Sequence, residues 1–173
     1  MRPKTFIQDT SATGATPWHV VDSKQAPFNV AFSVNVQGTG TYTVEHGYAD
    51  FTNEKNPKIT RSTTTATMTL PTHGLKVGDS LIVGGAGAPL DGTYAVASVT
   101  DANTVTYTVV NSGATANADG AWCVPVRVFP HSTVAAQTTS QDGNYAFPCN
   151  CVRMRITVAG AGNYAFHVNQ GNS

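Results

Sequence analysis

The side chains able to carry chemistry in this sequence of 173 residues are three cysteines, five histidines and ten acidic residues. Cys149 and Cys151 are two positions apart, which places them on one face of a strand but about 6.5–7 Å from each other, a poor distance for a disulfide. Structural zinc sites have two ligand pairs, whereas this chain has one pair at a different spacing. We therefore expect Cys123, Cys149 and Cys151 to be buried, reduced core residues, with no metal and no other cofactor.

The acidic residues do not form the pairs that catalysis requires. Aspartates in predicted turns bond to the nearby backbone through their own side chains. Nearly all the aspartates considered fall in such turns: Asp50, Asp79, Asp91, Asp101, Asp119 and Asp142. The motifs G-x-S-x-G and H-E-x-x-H are absent from the sequence. His46 lies on the apolar side of its predicted strand, where a hydrogen-bonded core or rim histidine is the ordinary interpretation. We expect no enzymatic activity.

A glycine-rich stretch, Gly84-Gly85-Ala86-Gly87, has the composition of a phosphate-binding loop. Such a loop needs a Lys-Ser/Thr pair and a following helix whose N-terminus binds the phosphate. Here Ala88-Pro89-Leu90-Asp91-Gly92 follows and leads into a predicted strand, so we expect no nucleotide site.

The composition excludes two classes of partner. The formal net charge is zero, charged residues make up 12% and no Lys/Arg run is present, so nucleic-acid binding is not expected. No apolar run is long enough for a membrane span, and the start MRPKTFIQDT lacks the apolar core of a signal peptide. We expect a soluble protein without membrane contacts.

Alternation of apolar and polar residues with a period of two predicts strands at both ends of the chain. Val152–Val158 and Tyr164–Val168 alternate around a short Gly-rich link, which predicts a hairpin. Phe28–Val36 and Tyr42–Tyr48 alternate around Gln37–Thr41, which predicts a second hairpin.

The middle of the chain has a different pattern of residues from the two ends. Predicted strands at Ser80–Val83, Thr93–Val99 and Thr104–Val110 follow a Thr-rich strand and are separated by tight-turn signals. Residues 58–121 could build a compact β domain alone. We predict an all-β protein in which 28–57 and 122–173 form a discontinuous antiparallel β-sandwich, jelly-roll-like, and 58–121 an inserted small β-barrel or Ig-like domain.

Residues 1–27 are irregular but contain aromatic side chains, in which disordered tails are poor. A loose terminus and an ordered arm are the alternatives, and we favour an extended arm on another subunit. The residues expected at a subunit or capsid interface are Phe6, Ile7, Trp18, Val20, Phe129 and His131.

Two outer motifs resemble small structural proteins of tailed bacteriophages. They are FNVAFSVNVQGTGTYTVEHGYAD and VFPHSTVAAQTTSQDGNYAFPCNCVRMRITVAGAGNYAFHVNQ. The intervening HGLKVGD, LDGTYAV and VTDANTVTYTV resemble a small β module that recurs in phage structural proteins. The CNC stands where Val-x-Ala is more usual in that family.

The resemblance implies a virion component assembled in the host cytoplasm, a reducing compartment in which disulfides are rare. Within that class we favour a capsid decoration (cement) protein on the outer head surface. Its partners would be the major capsid protein or other virion proteins, and it would form a homo-oligomer, with a trimer favoured. The alternative is a neck, tail or head-fibre component, including a receptor- or glycan-binding module.

Overall fold

The computed structural model describes residues 4–52, 54–115, 117–118 and 120–171. Within these ranges the regular elements are all strands, which confirms the all-β class, and no helix there could cross a bilayer. Asp119, one of the predicted turn aspartates, lies outside the described residues. The strands are β1 (Lys4–Asp9), β2 (Gly14–Ala15), β3 (His19–Val20), β4 (Val30–Gly38), β5 (Thr41–Tyr48), β6 (Lys58–Ser62), β7 (Thr65–Thr69), β8 (Ser80–Gly84), β9 (Gly92–Ala95), β10 (Ser98–Asp101), β11 (Thr104–Thr108), β12 (Ala114–Thr115), β13 (Trp122–Pro130), β14 (Gln141–Tyr145), β15 (Cys151–Val158) and β16 (Gly162–Gln170).

The chain divides into two compact units. Unit 1 comprises Met1–Tyr48 and Phe129–Ser173, and unit 2 comprises Ala49–Val128. In unit 1 one sheet has the strand order β1-β16-β4-β14, with every pair antiparallel. In its second sheet β15 lies between β5 and the two short strands β2 and β3, again antiparallel.

Both sheets of unit 1 contribute to one apolar core. Val34 and Phe166 come from the first sheet, and Val44 and Met154 from the second, and all four are nearly or fully inaccessible to solvent. Alternate residues of each strand point to one face, so the apolar sets of the two sheets meet between them. The predicted antiparallel sandwich is confirmed.

The two predicted hairpins are wrong. β4 pairs with β16 and β14, whereas β5 pairs with β15, so β4 and β5 lie in opposite sheets. The same holds for β15 and β16. Alternation determines which face of a strand is buried, but it does not determine which neighbour its edge bonds to. Each short link therefore crosses from one sheet to the other, and we call the two links the β4–β5 arch and the β15–β16 arch.

The two arches hold each other in place by hydrogen bonds and by close contact of their backbones. Thr39 N donates to Ala161 O at 2.7 Å, and Ala161 N donates to Thr39 Oγ1 at 2.9 Å. A Cβ at Gly160 would lie 2.1 Å from Thr39 O, and one at Gly38 would lie 2.0 Å from Ala161 O. The glycines that indicate turns in the sequence are thus required by the close approach of two backbones.

A third predicted turn, Asp142-Gly143-Asn144, is also wrong, because these residues lie within β14. Gly143 pairs with Phe32 of β4, and a Cβ at Gly143 would lie 2.5 Å from Phe32 Cζ. The glycine leaves room for the phenyl ring, so its role is close packing within a strand.

Unit 2 has its own sheets and its own core. A five-stranded sheet has the order β10-β11-β7-β6-β12, and β8 lies between β9 and the Trp122–Val126 part of β13. Met68, Leu81, Val105 and Cys123 are among its fully buried core residues. The predicted strand Thr93–Val99 is split between β9 and β10, which pair with different neighbours.

The boundaries of unit 2 differ from those expected for the inserted domain. Residues 49–57 and 122–128, assigned by the sequence analysis to the outer domain, lie in unit 2. The pairing of β8 with β13 and the burial of Cys123 explain the later boundary. Independent folding of the insert stays a prediction.

Candidate docking surface

An aromatic patch lies on unit 1, and we define it as His46, Tyr48, Phe129 and Phe147. Tyr48, Phe129 and Phe147 are 40%, 45% and 46% exposed, whereas His46 beneath them is 8% exposed. Single exposed apolar residues are ordinary on a protein surface, but contiguous ones indicate an interaction site.

His46 brings the three exposed rings together. Its ring stacks on Phe129, with centroids 5.6 Å apart and 21° between planes, and meets Phe147 edge-on at 5.1 Å. Tyr48 also lies edge-on to His46 at 5.7 Å and to Phe129 at 5.8 Å. These distances and angles are those of favourable aromatic pairs, so the patch is preorganised.

The base of the patch is buried and uncharged. Burial lowers the pKa of His46, which keeps its ring neutral near pH 7. His46 Nδ1 and the fully buried Tyr145 hydroxyl have no hydrogen-bond partner among the described residues. The surface can offer apolar area and ring edges to a protein partner.

His131, which the sequence analysis expects at an interface, is instead turned inward. It is 9% exposed and its ring meets Phe32 edge-on at 5.1 Å. Nδ1 accepts a hydrogen bond from Val134 N at 3.1 Å, so Nε2 carries the proton and donates to Asn144 O at 3.2 Å. Its role in the structure is to hold the loop after β13 in place.

The expected N-terminal arm packs on its own chain. β1 forms the edge strand beside β16, and Phe6 stacks on Phe166 at 6.3 Å while contacting the core. Trp18 lies over the guanidinium of Arg153, 4.2 Å from the ring centroid. Ile7 and Val20 are 65% and 50% exposed. A role of these residues in contacts with another subunit stays a prediction.

Phe129 is thus the one expected interface residue that the structure places in the aromatic patch among the described residues. The sequence analysis misses Tyr48 and Phe147 and interprets His46 only as a core or rim residue. Tyr48 is the last residue of β5, and Phe147 lies just beyond the end of β14. An aromatic at a strand end is a usable signal, because the sheet no longer covers it there.

The described turn aspartates have the role expected for them, except Asp142. Asp79 accepts backbone hydrogen bonds from Lys76 N at 2.8 Å and Val128 N at 3.0 Å. Asp91 accepts from Ala86 N and Gly87 N, the very amides that a phosphate would need in the Gly84–Gly87 loop. Asp50 and Asp101 each accept a hydrogen bond from the backbone amide two residues further along the chain, at Thr52 N and Asn103 N. These carboxylates stabilise the backbone of turns.

The three cysteines are free and fully buried. Burial raises the pKa of each thiol to about 12, so the reactive thiolate is scarce at neutral pH. Among the described residues no group of three or more His, Cys, Asp or Glu side chains could hold a metal ion.

No family model matches the chain, and no curated protein matches it. Among solved structures it is similar to the Phage phi92 endosialidase, with 29% sequence identity and a TM-score of 0.40 over 56% of this chain. The match covers 14% of that chain, whose activity is a property of that protein.

Proposed function

We propose that this chain is a non-catalytic structural component of a bacteriophage virion, and within that class a capsid decoration protein. It binds the outer surface of the head as a homo-oligomer, with a trimer favoured, and stabilises the shell. The observation that carries the docking role is the aromatic patch, in which Tyr48, Phe129 and Phe147 are half-exposed around a buried His46. The two motifs that resemble phage structural proteins support the virion assignment.

Aromatic side chains are the residues that most often carry binding energy at protein interfaces. Three preorganised rings lose little conformational entropy on binding, because their stacked and edge-on contacts with His46 already hold them. A modest contact is enough for a decoration protein, since several copies in one oligomer add avidity. The near-zero net charge is compatible with dense packing of many copies without mutual repulsion.

The proposal is tested by attachment to phage heads purified without this protein. The double variant Phe129→Ser/Phe147→Ser should bind at least about tenfold more weakly than wild type, since two anchors are lost. Val158→Ser changes another exposed apolar residue of unit 1, 56% exposed, and serves as the matched control with unchanged binding. Equal binding by the double variant and wild type would contradict the docking role of the patch.

The alternative, a neck, tail or head-fibre component, differs in stoichiometry. A decoration protein follows the symmetric lattice of the capsid protein. It is therefore present in a number of copies comparable to the number of lattice sites, on the order of hundreds. A component of the neck, tail or one vertex is present in a handful of copies.

A further inference from the structure

A trough runs along the outer face of the first sheet of unit 1, on the side of β4 that faces away from the core. It is an open groove with a volume of about 330 Å³ and a largely apolar lining. Its lining includes Ala31 and Ser33 of β4, Asp142 of β14, and His167 and Asn169 of β16. Nothing in the docking role of the aromatic patch uses these residues.

The strand register explains the shape of the trough. His167, Ser33 and Asp142 form one row across β16, β4 and β14, and Asn169, Ala31 and Asn144 form the next. The middle strand contributes the small residues and the two outer strands contribute the larger polar ones. Because neighbouring strands are about 4.8 Å apart, the polar groups of the two outer strands stand about 10 Å apart across a groove whose lining is otherwise apolar.

The polar groups along the trough are available for a ligand. Ser33 Oγ, the Asp142 carboxylate and the Asn169 amide make no hydrogen bond with any other described residue. Asp142 differs in this respect from Asp79 and Asp91, whose carboxylates accept backbone amides. His167 is held by a hydrogen bond of 2.9 Å between its Nδ1 and Thr5 Oγ1, which leaves Nε2 for a ligand.

We infer that this trough is a binding site for a neutral sugar ring. A pyranose has an apolar face of C–H groups that fits the apolar lining and a rim of hydroxyls that can bond to the polar groups at the two sides. A carboxylate accepts two hydroxyl protons, and an amide both donates and accepts. The cavity lies within the size range of small-molecule sites. The single carboxylate disfavours anionic sugars, because bringing a second negative charge beside Asp142 is unfavourable.

The inference is independent of the proposed docking role. The trough shares no residue with the aromatic patch, and it would bind its ligand through polar groups rather than through aromatic rings. Such a shallow site binds one sugar weakly, in the millimolar range or about −4 kcal/mol. Repetition of the site on an oligomer raises the effective affinity for a polysaccharide.

Saturation-transfer NMR on the purified full chain tests the inference, with methyl glucopyranoside and N-acetylglucosamine as neutral probes and N-acetylneuraminic acid as the anionic probe. Both a filled trough, Ser33→Trp, and a lost acceptor, Asp142→Ala, should reduce the signal of the neutral probes by at least about fivefold. Asn35→Ala, on the same face of β4 one row further along, is the control that should leave the signal unchanged. The near-UV spectrum of each variant verifies the fold.

A saturation-transfer signal for a neutral probe supports the site if both variants lose that signal and the control keeps it. Absence of transfer to both neutral probes at about 50 mM, a concentration above the expected dissociation constant, overturns it. Transfer that survives Ser33→Trp, or stronger transfer to the anionic probe, also overturns it. Attachment of Asp142→Ala to heads should equal that of wild type, so failure of the sugar site and failure of the docking role are separate results.

Discussion

Glu45 lies buried on β5 between two arginines of the neighbouring strand β15. Its Oε2 is 2.8 Å from Arg153 Nε, and its Oε1 is 2.8 Å from Arg155 Nε. Arg153 is itself buried beneath Trp18, and that burial lowers the pKa of its guanidinium while the Glu45 carboxylate opposes the shift. Removing the carboxylate leaves a buried positive charge without its partner, which is costly in the protein interior.

Glu45→Gln is therefore expected to lower the free energy of unfolding by about 3 kcal/mol, with the loss carried mainly by buried Arg153. Urea unfolding of the variant and wild type measures the difference. Glu54→Gln removes an exposed carboxylate and should change the free energy by less than about 0.5 kcal/mol. Equal midpoints for the two variants would contradict the assignment of Glu45 as a buried ion-pair residue.

The cysteines give a second prediction at this scale. Because burial raises the pKa of all three thiols to about 12, a disulfide-exchange reagent at pH 8 should leave the folded protein unmodified. After denaturation the same reagent should count three thiols. The pKa of each thiol is higher in the folded state than in the unfolded state, so the protonated thiols favour folding. This contribution to stability is complete below the unfolded-state pKa near 9 and declines as the pH rises towards 12. A mass lower by two hydrogens before reduction would reveal a disulfide and contradict the prediction.

At the scale of elements, the two arches decide the topology of unit 1. They send β4 and β5, and likewise β15 and β16, into opposite sheets, so the pairs that share hydrogen bonds are distant in sequence. Thr157 Oγ1 and Tyr164 Oη also donate to the β4–β5 arch and its flank, at Thr41 O and Gly40 O. The two arches are thus packed against each other and joined by hydrogen bonds.

Gly160→Ala should destabilise the protein by roughly 1–3 kcal/mol, because the added methyl would meet the backbone of Thr39 and force the arches apart. Thermal unfolding followed by circular dichroism measures the loss. Gly14→Ala is the matched control, since its Cβ would be 3.6 Å from the nearest atom, an ordinary contact. If both variants melt together with wild type, the close approach of the arches is refuted.

The strands themselves are predictable from the sequence, because burial of one face of a strand requires apolar residues at every second position, such as Val152, Met154 and Ile156. Their pairing is not, because backbone hydrogen bonds leave no mark on side-chain identity. Gly38 and Gly160 show the same limit, since a glycine needed for close approach looks like a glycine in a turn. Tyr48 and Phe147 meet at the patch only after both sheets are assembled, so no local pattern joins them.

At the scale of the whole molecule, each unit has a core made from its own residues. The core of unit 1 includes Val30, Tyr42, Met154 and Phe166, and that of unit 2 includes Ile59, Leu81, Tyr107 and Cys123. A domain with its own core can in principle fold alone.

A fragment spanning 49–128 should therefore unfold cooperatively by itself, and a fragment spanning 58–121 should be markedly less stable. The shorter fragment loses buried Cys123 and the β13 residues that pair with β8. Deleting 58–120 and closing the gap with a short Gly/Ser bridge should leave unit 1 folded, since its core lies outside the deletion. Calorimetry on the three proteins measures this. An unfolded 49–128 fragment would refute the independence of unit 2.

The central proposal, a decoration protein docked through its aromatic patch, concerns the chain in its particle. A cryo-EM map of the intact virion tests it most directly, because copy number, symmetry and the docked face are all read from the density. The proposal predicts density for this chain over the whole outer head, in symmetric oligomers, with Tyr48, Phe129 and Phe147 against the capsid protein. A head without this chain, copies confined to the neck or tail, or an aromatic patch facing solvent would contradict it.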